Sequence, residues 1–211
     1  MIFKNRRQAG RLLAKKIARL KLNSRNGLIV AIPRGGVLVG DEISQKLKIP
    51  LSVLVVKKLG APDNNELAIG ATASFGKPVL DQWLIKDLKV SADYLKKEIL
   101  KKKKEARSRE KFLNVEILPE KYCGRNIIVV DDGLATGQTA KMAAKILSQF
   151  KIGRLILAIP CAAPTVVESI KSDYDEVICF EESADFYAVG QFYLDFRPVE
   201  DDDVKEILDN N

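Results

Sequence analysis

Two adjacent carboxylates, Asp131 and Asp132, close an apolar run and are followed by Gly133, Leu134, Ala135, Thr136, Gly137, Gln138 and Thr139. Carboxylates accept hydrogen bonds from hydroxyl groups. A loop of small residues that opens a helix offers an anion unpaired amide N–H groups and a positive dipole end. For phosphate alone the pairing is odd, because carboxylates repel it. It suits a sugar phosphate: the acids would hold vicinal hydroxyls, while the loop amides and the hydroxyls of Thr136 and Thr139 would hold the phosphate. A second anion cradle stands at Arg34-Gly35-Gly36, directly after another apolar run. Paired glycines leave amides open, and arginine supplies a bidentate phosphate donor. Basic residues recur after a third run, at Lys57 and Lys58.

Other readings of the acidic segment fit less well. A Walker A loop requires lysine where Gln138 stands, and the loop is one residue too short. The Gly-x-Gly-x-x-Gly dinucleotide fingerprint is absent. A receiver domain requires a phosphoacceptor aspartate closing a later strand, and the next apolar run ends on Pro160 and Cys161. A plain acidic strand end before a capped helix is the remaining, functionally silent reading.

These residues need a scaffold, and the chain supplies its pattern. Apolar runs at Leu28–Ile32, Val53–Val56, Leu67–Ala73, Asn126–Val130, Leu155–Ile159 and Val177–Phe180 read as buried strands. Helical periodicity appears at Gln8–Leu20, Val37–Leu47, Thr139–Phe150 and Pro164–Lys171, the last opening on a helix-starting proline. Alternating strands and helices predict an α/β fold with a parallel sheet covered on both faces, which gathers the loops above at one edge. Ser91–Lys111 reads as a long charged helix. Tyr94, Leu95, Ile99 and Leu100 would dock one face of it, and Arg107 and Arg109 are placed either in solvent or toward an anionic substrate. Glu200-Asp201-Asp202-Asp203 reads as the acidic start of a short helix, Val204–Leu208.

Composition narrows the chemistry. The chain of 211 residues is 46% hydrophobic, enough for one substantial core, and is read as one domain over 1–211. It has no histidine, so His triads, His metal sites and His general bases are excluded. Cys123, Cys161 and Cys179 lack metal-binding or paired spacing and suit reduced thiols in the cytoplasm. No apolar run is long enough to span a membrane, and the basic N-terminus lacks the features of a signal peptide. The formal charge of +7 favours polyanions, and much of the excess lies between Lys86 and Lys111.

The Asn126–Thr139 segment resembles the phosphoribosyl diphosphate (PRPP) signature of the type I phosphoribosyltransferases: four apolar residues, two acids, then a short loop with Thr-Gly-x-Thr. Phe3, Arg6, Ala9-Gly10 and Leu13-Ala14, with Lys57-Lys58-Leu59-Gly60-Ala61-Pro62 and Val189-Gly190-Gln191-Phe192-Tyr193, look closer to a bacterial and archaeal subgroup whose acceptor is generally unassigned. The resemblance implies a Rossmann-like core at about 28–180, with hood elements from 1–25 and 181–211. It implies transfer of a phosphoribosyl group from PRPP to a nitrogenous base with release of pyrophosphate. Asp131, Asp132 and Arg34 would be catalytic. Gly133 through Thr139 would bind the 5′-phosphate, and Arg34, Gly35, Gly36, Lys57 and Lys58 the pyrophosphate. Mg²⁺ would be held mainly by PRPP, with help from Asp131 and Asp132 and no dedicated protein site.

The acceptor would meet the hood, with Phe186, Val189 and Tyr193 as candidates for contact or for plain packing. The segment Gly60–Glu66 departs from the lysine-rich mobile loop of several family members, which leaves the lid over the site unassigned. A homodimer is compatible with the resemblance, and a membrane partner is not expected. The alternative is a PRPP-sensing regulator of the same fold that binds RNA or DNA. The basic excess permits it, but no base-reading motif supports it.

Overall fold

The computed structural model describes residues 2–116 and 119–210. Five strands form a parallel sheet: β1 (Gly27–Ala31), β2 (Leu51–Val53), β6 (Asn126–Val130), β7 (Leu155–Ala162) and β8 (Glu176–Glu182). Their order across the sheet is β2-β1-β6-β7-β8. Every residue of β1 and of β7 is buried, as a sheet covered on both faces demands. Alternation along each strand divides the interior in two. Leu28, Val30, Ile127, Val129 and Leu157 pack with Ala140, Ala143, Ala144 and Leu147 of helix α5 (Gln138–Leu147) and Ile170 of α6 (Pro164–Ile170). Ile29, Ile128, Ile156 and Ile178 pack on the opposite face, with Leu13 and Ile17 of α1 (Arg6–Ile17) and Val39 and Ile43 of α2 (Gly35–Leu47).

Local signals set the helix starts. Asn5 Oδ1 accepts from Gln8 N at 3.0 Å to cap α1, and Ser91 Oγ accepts from Tyr94 N at 3.2 Å to cap α4 (Ala92–Phe112). Glu200 N donates to Asp203 Oδ2 at 2.8 Å at the head of α7 (Asp201–Asp209), so the acidic cluster caps a helix three residues earlier than the sequence predicts. Helices α1 and α2 cross closely at Gly10, where a β-carbon would stand 2.6 Å from Val39 O.

One predicted strand belongs elsewhere. The run read as Leu67–Ala73 is a strand, β4 (Asn64–Thr72), but it lies in a second, antiparallel sheet between β3 (Lys57–Ala61) and β5 (Val79–Leu80). The reason is the short link between β3 and β4. Ala61 pairs with Asn64, leaving only Pro62 and Asp63 between strands, and so short a connection can join only antiparallel neighbours. The predicted Val53–Val56 strand correspondingly pairs only over Leu51–Val53.

The hairpin has a small core of its own. Leu59, Ala61 and Ile69 pack against Leu84 and Ile85 of α3 (Gln82–Asp87) and Tyr94, Leu95 and Ile99 of α4. Leu100, expected on that face, is 61% exposed. Arg107 donates to Ser74 O, and Arg109 pairs with Asp201 at 2.5 Å. Both tie α4 to its neighbours rather than reaching toward a substrate.

Candidate active site

The chain reverses direction across the sheet between β1 and β6: β2 follows to one side of β1, while β7 and β8 follow to the other side of β6. Such a switch point opens a crevice at the carboxyl ends of the strands. Two loops enter it, 32–36 after β1 and 131–137 after β6. They are locked together by Ile32 N, which donates to Val130 O at 2.8 Å. The Pro33–Arg34 peptide is cis. A β-carbon at Gly35 would lie 1.9 Å from Asp132 Oδ2, and one at Gly36 would lie 2.7 Å from Val130 O and 2.9 Å from Asp131 Cα. Only glycine allows the cradle to press this closely against the acid pair. The two glycine-bearing loops, far apart in sequence, meet at one place in the fold.

Asp132 is held on all sides. Its Oδ2 accepts from Arg6 Nε at 2.7 Å, its carbonyl accepts from Tyr193 Oη at 2.6 Å, and its amide donates to Asp131 Oδ1 at 2.8 Å. The Asp131 carboxyl is held well above the usual carboxylate range, first by burial and then by the negative charge of Asp132, with Arg6 pulling the other way. Two charges so close cost much less when one carries a proton or meets a cation or hydroxyl donors.

The following loop divides its residues by task. Leu134 is buried, and its amide is already committed to Cys161 O at 3.0 Å, so its part is to anchor the loop on β7. Ala135, Thr136 and Gln138 are exposed, and Thr139 is half-buried. Gly137, at φ +71°, takes a left-handed turn that L side chains rarely adopt and starts α5. The first amides of α5 thus face the loop with no carbonyl of a preceding turn to pair with. Arg34 reaches Glu200 Oε2 at 3.1 Å across an exposed pair, a contact worth about 0–1 kcal/mol.

Lys57 and Lys58 do not close β2. They open β3, beyond the same end of the parallel sheet, and alternation sends them to opposite faces of the hairpin. Neither has an ion-pair partner among the described residues, so at most one can turn toward the crevice. Of the three acceptor candidates, Val189 lies against the donor loop, since a β-carbon on Gly133 would stand 2.7 Å from its Cγ1. Phe186 stacks on Phe192 with centroids 5.1 Å apart, and Tyr193 stacks on Phe196 at 5.1 Å and touches Phe3 at 5.4 Å. Phe186 and Tyr193 are therefore engaged in hood packing.

Arg6 carries no local sequence pattern that marks it as functional. It is 8% exposed, donates from Nη1 to Arg197 O at 2.9 Å, and lays its guanidinium 3.7 Å from the Phe196 ring centroid. Its only sequence signal is its place between Phe3 and Ala9-Gly10. A cavity of about 530 Å³ lies behind it, between α1, α2 and α7; neither the acid pair nor residues 133–139 line it. No group of three or more His, Cys, Asp or Glu side chains among the described residues forms a metal cage. In the hydrogen bonds described Asp131 accepts through Oδ1 and Asp132 through Oδ2, which leaves each carboxylate an oxygen of the hard type that would suit Mg²⁺.

A five-stranded parallel sheet covered by helices, with the acid pair and both glycine-bearing loops at its switch point, makes this an α/β protein of the Rossmann-like class. The sequence profile of the phosphoribosyl transferase domain matches residues 2–197, and the chain belongs to that family. TT1426 from Thermus thermophilus is 38% identical and superposes with a TM-score of 0.84 over 99% of this chain and 98% of that one. A Mycobacterium tuberculosis H37Rv protein named as a candidate phosphoribosyl transferase is 34% identical over 217 residues, which cover 99% of this chain. The chain spans about half, 46%, of that relative's length. A hypothetical protein from Neisseria gonorrhoeae with bound ppGpp shares the fold at 15% identity, with a TM-score of 0.53 over 100% of this chain and 94% of its own. No described helix is long and apolar enough to cross a membrane.

Proposed function

We propose that this chain is a phosphoribosyltransferase that takes the 5-phosphoribosyl group from PRPP and places it on a nitrogenous base. The observation that supports the reading is the contact of Gly35 and Gly36 with Asp131 and Asp132, which sets the paired glycines directly against the acid pair. The 5′-phosphate sits on the amides that begin α5, with Thr136 and Thr139. The diphosphate takes the amides of Gly35 and Gly36 and draws Arg34 from Glu200, with Lys57 or Lys58 as a further cation. The ribose hydroxyls meet the acid pair, and the base enters beside Val189.

The reaction forms a bond from the base nitrogen to the anomeric carbon and breaks the bond from that carbon to the diphosphate oxygen, which leaves with the electron pair. Positive character grows on the ribose ring, where the negative charge of the acid pair stabilises it. Negative charge grows on the leaving oxygen, which Arg34 and the loop amides stabilise. The base gives up its proton to water or to the departing diphosphate, so a protein general base is dispensable in a chain without histidine. Asp131 and Asp132 would help hold a Mg²⁺ ion brought in with the diphosphate, which would supply further charge neutralisation. Reduced thiols at Cys123, Cys161 and Cys179 suit the cytoplasm.

Incubation with PRPP, Mg²⁺ and a panel of purine, pyrimidine and other nitrogen bases tests the reading. Release of pyrophosphate that depends on one base is the expected result. No release with any base, together with salt-sensitive RNA binding, contradicts it in favour of a regulator.

A further inference from the structure

We propose that Arg6 is the positioning residue of the donor site, holding the Asp132 carboxylate at the one angle from which its free oxygen meets the ribose of PRPP. The inference rests on the PRPP reading above. Asp132 follows a strand end and precedes the glycine at 133, so the backbone alone leaves its side chain several staggered rotamers. One is selected by Arg6 Nε, which holds Oδ2 at 2.7 Å, and Gly35 packs against that same oxygen.

Arg6 is itself fixed three times over. Its Nη1 donates to Arg197 O at 2.9 Å, its guanidinium lies 3.7 Å over Phe196 and 5.9 Å from the Tyr193 centroid, and α1 carries it on a helix capped one residue earlier by Asn5. Phe196 and Tyr193 stack on one another, and Tyr193 also holds the Asp132 carbonyl. Side chain and backbone of Asp132 are thus clamped by one aromatic–arginine assembly built from both ends of the chain. A guanidinium suits this place better than an ammonium: its planar fork serves a carboxylate and a carbonyl at once while its face rests on a ring.

The arrangement assigns the two acids different tasks. Asp132 is oriented and neutralised by Arg6, whereas Asp131 has no side-chain cation within hydrogen-bond reach among the described residues. Direct contact of Arg6 with the acid pair is therefore through Asp132, and its charge reaches Asp131 only at longer range. A residue that merely held the hood together would act independently of Asp132.

A double-mutant cycle on PRPP binding separates these roles. Arg6→Gln is expected to weaken PRPP binding at least roughly tenfold, the scale on which orienting partners of a binding group act. In an Asp132→Asn background the same change is expected to add less than about twofold. Arg6→Lys, which retains the charge and part of the packing, is expected to recover part of the loss; it also serves as the test variant if Arg6→Gln fails to fold. Equal losses in both backgrounds, or full affinity in Arg6→Gln, overturn the proposal while leaving the PRPP site intact. A wild-type chain that binds no PRPP overturns the donor-site reading and this proposal with it.

Discussion

Gly35 and Asp132, 97 residues apart in sequence, are in such close contact that a β-carbon on the first would lie 1.9 Å from Oδ2 of the second and 2.9 Å from Arg6 Nε. Gly35→Ala must therefore push the carboxylate away from Arg6. The acid side chain can move, so the fold should survive, with a loss of about 1–3 kcal/mol from overpacking. PRPP affinity should fall at least roughly tenfold, because the ribose ligand is displaced. Calorimetric titration beside thermal unfolding checks both. Gly36→Ala meets backbone at Val130 O, 2.7 Å away, which cannot yield as easily. It should cost more stability than Gly35→Ala.

Gly133 makes the corresponding contact with the hood. A β-carbon there would meet Val189 Cγ1 at 2.7 Å and Cys161 Sγ at 2.8 Å, from a backbone at φ +154°. Gly133→Ala should lower the melting temperature, and Val189→Ala in the same chain should restore part of the loss by opening one of the two contacts. If the double variant is no better than the single one, Val189 does not rest on the phosphate loop as described.

Tyr193 separates packing from acceptor binding. Its ring is sandwiched among Phe3 and Phe196, and its hydroxyl donates to Asp132 O at 2.6 Å. Tyr193→Phe should remove one hydrogen bond, about 1 kcal/mol in chemical denaturation, with the ring packing unchanged. The Michaelis constant for the base should stay within about twofold, because no face of the ring is left for an acceptor. A large rise confined to the base would return Tyr193 to the acceptor pocket.

Glu110 gives the fold a pH dependence. The residue is 6% exposed in α4, and its Oε1 makes no hydrogen bond among the described residues. Burial raises its carboxyl above the ordinary 4.5, while Ser74 and Arg107 pull it partly back. The folded chain thus holds this proton more tightly than the unfolded chain. The contribution is fully present below about pH 4.5, declines as pH rises through the raised folded-state value, and is flat beyond it. In melting curves across this range, Glu110→Gln should remove that part of the decline. An unchanged slope would mean that Glu110 is not the group responsible.

How much of this was legible in the sequence depended on the range of the contact. The parallel strands were legible because burial on both faces leaves unbroken apolar runs such as Ile127–Val130. The two glycine-bearing turns at the strand ends were legible because glycines and acids at strand ends are local signals. The hairpin at Lys57–Thr72 was misplaced because its apolar stretch, Leu67–Ala73, looks the same whichever sheet it joins; only the two-residue link at Pro62-Asp63 marks it as antiparallel. Arg6 was hidden for a different reason. Its partners are 126 and 191 residues away, and no local pattern of charge reports a contact between the two ends of a chain. Tyr193 and Phe186 illustrate the same limit: an aromatic residue in the hood reads alike whether its ring is stacked or open.

Thermal unfolding in the presence of PRPP and Mg²⁺ shows whether the acid pair and the two loops form one PRPP site. At a hundredfold excess over its dissociation constant, PRPP should stabilise the wild-type chain by about 2.7 kcal/mol. The Asp131→Asn, Asp132→Asn double variant should fold and lose most of that gain at the same PRPP concentration. A double variant that responds to PRPP as fully as the wild type, or a wild type that does not respond, would contradict the account.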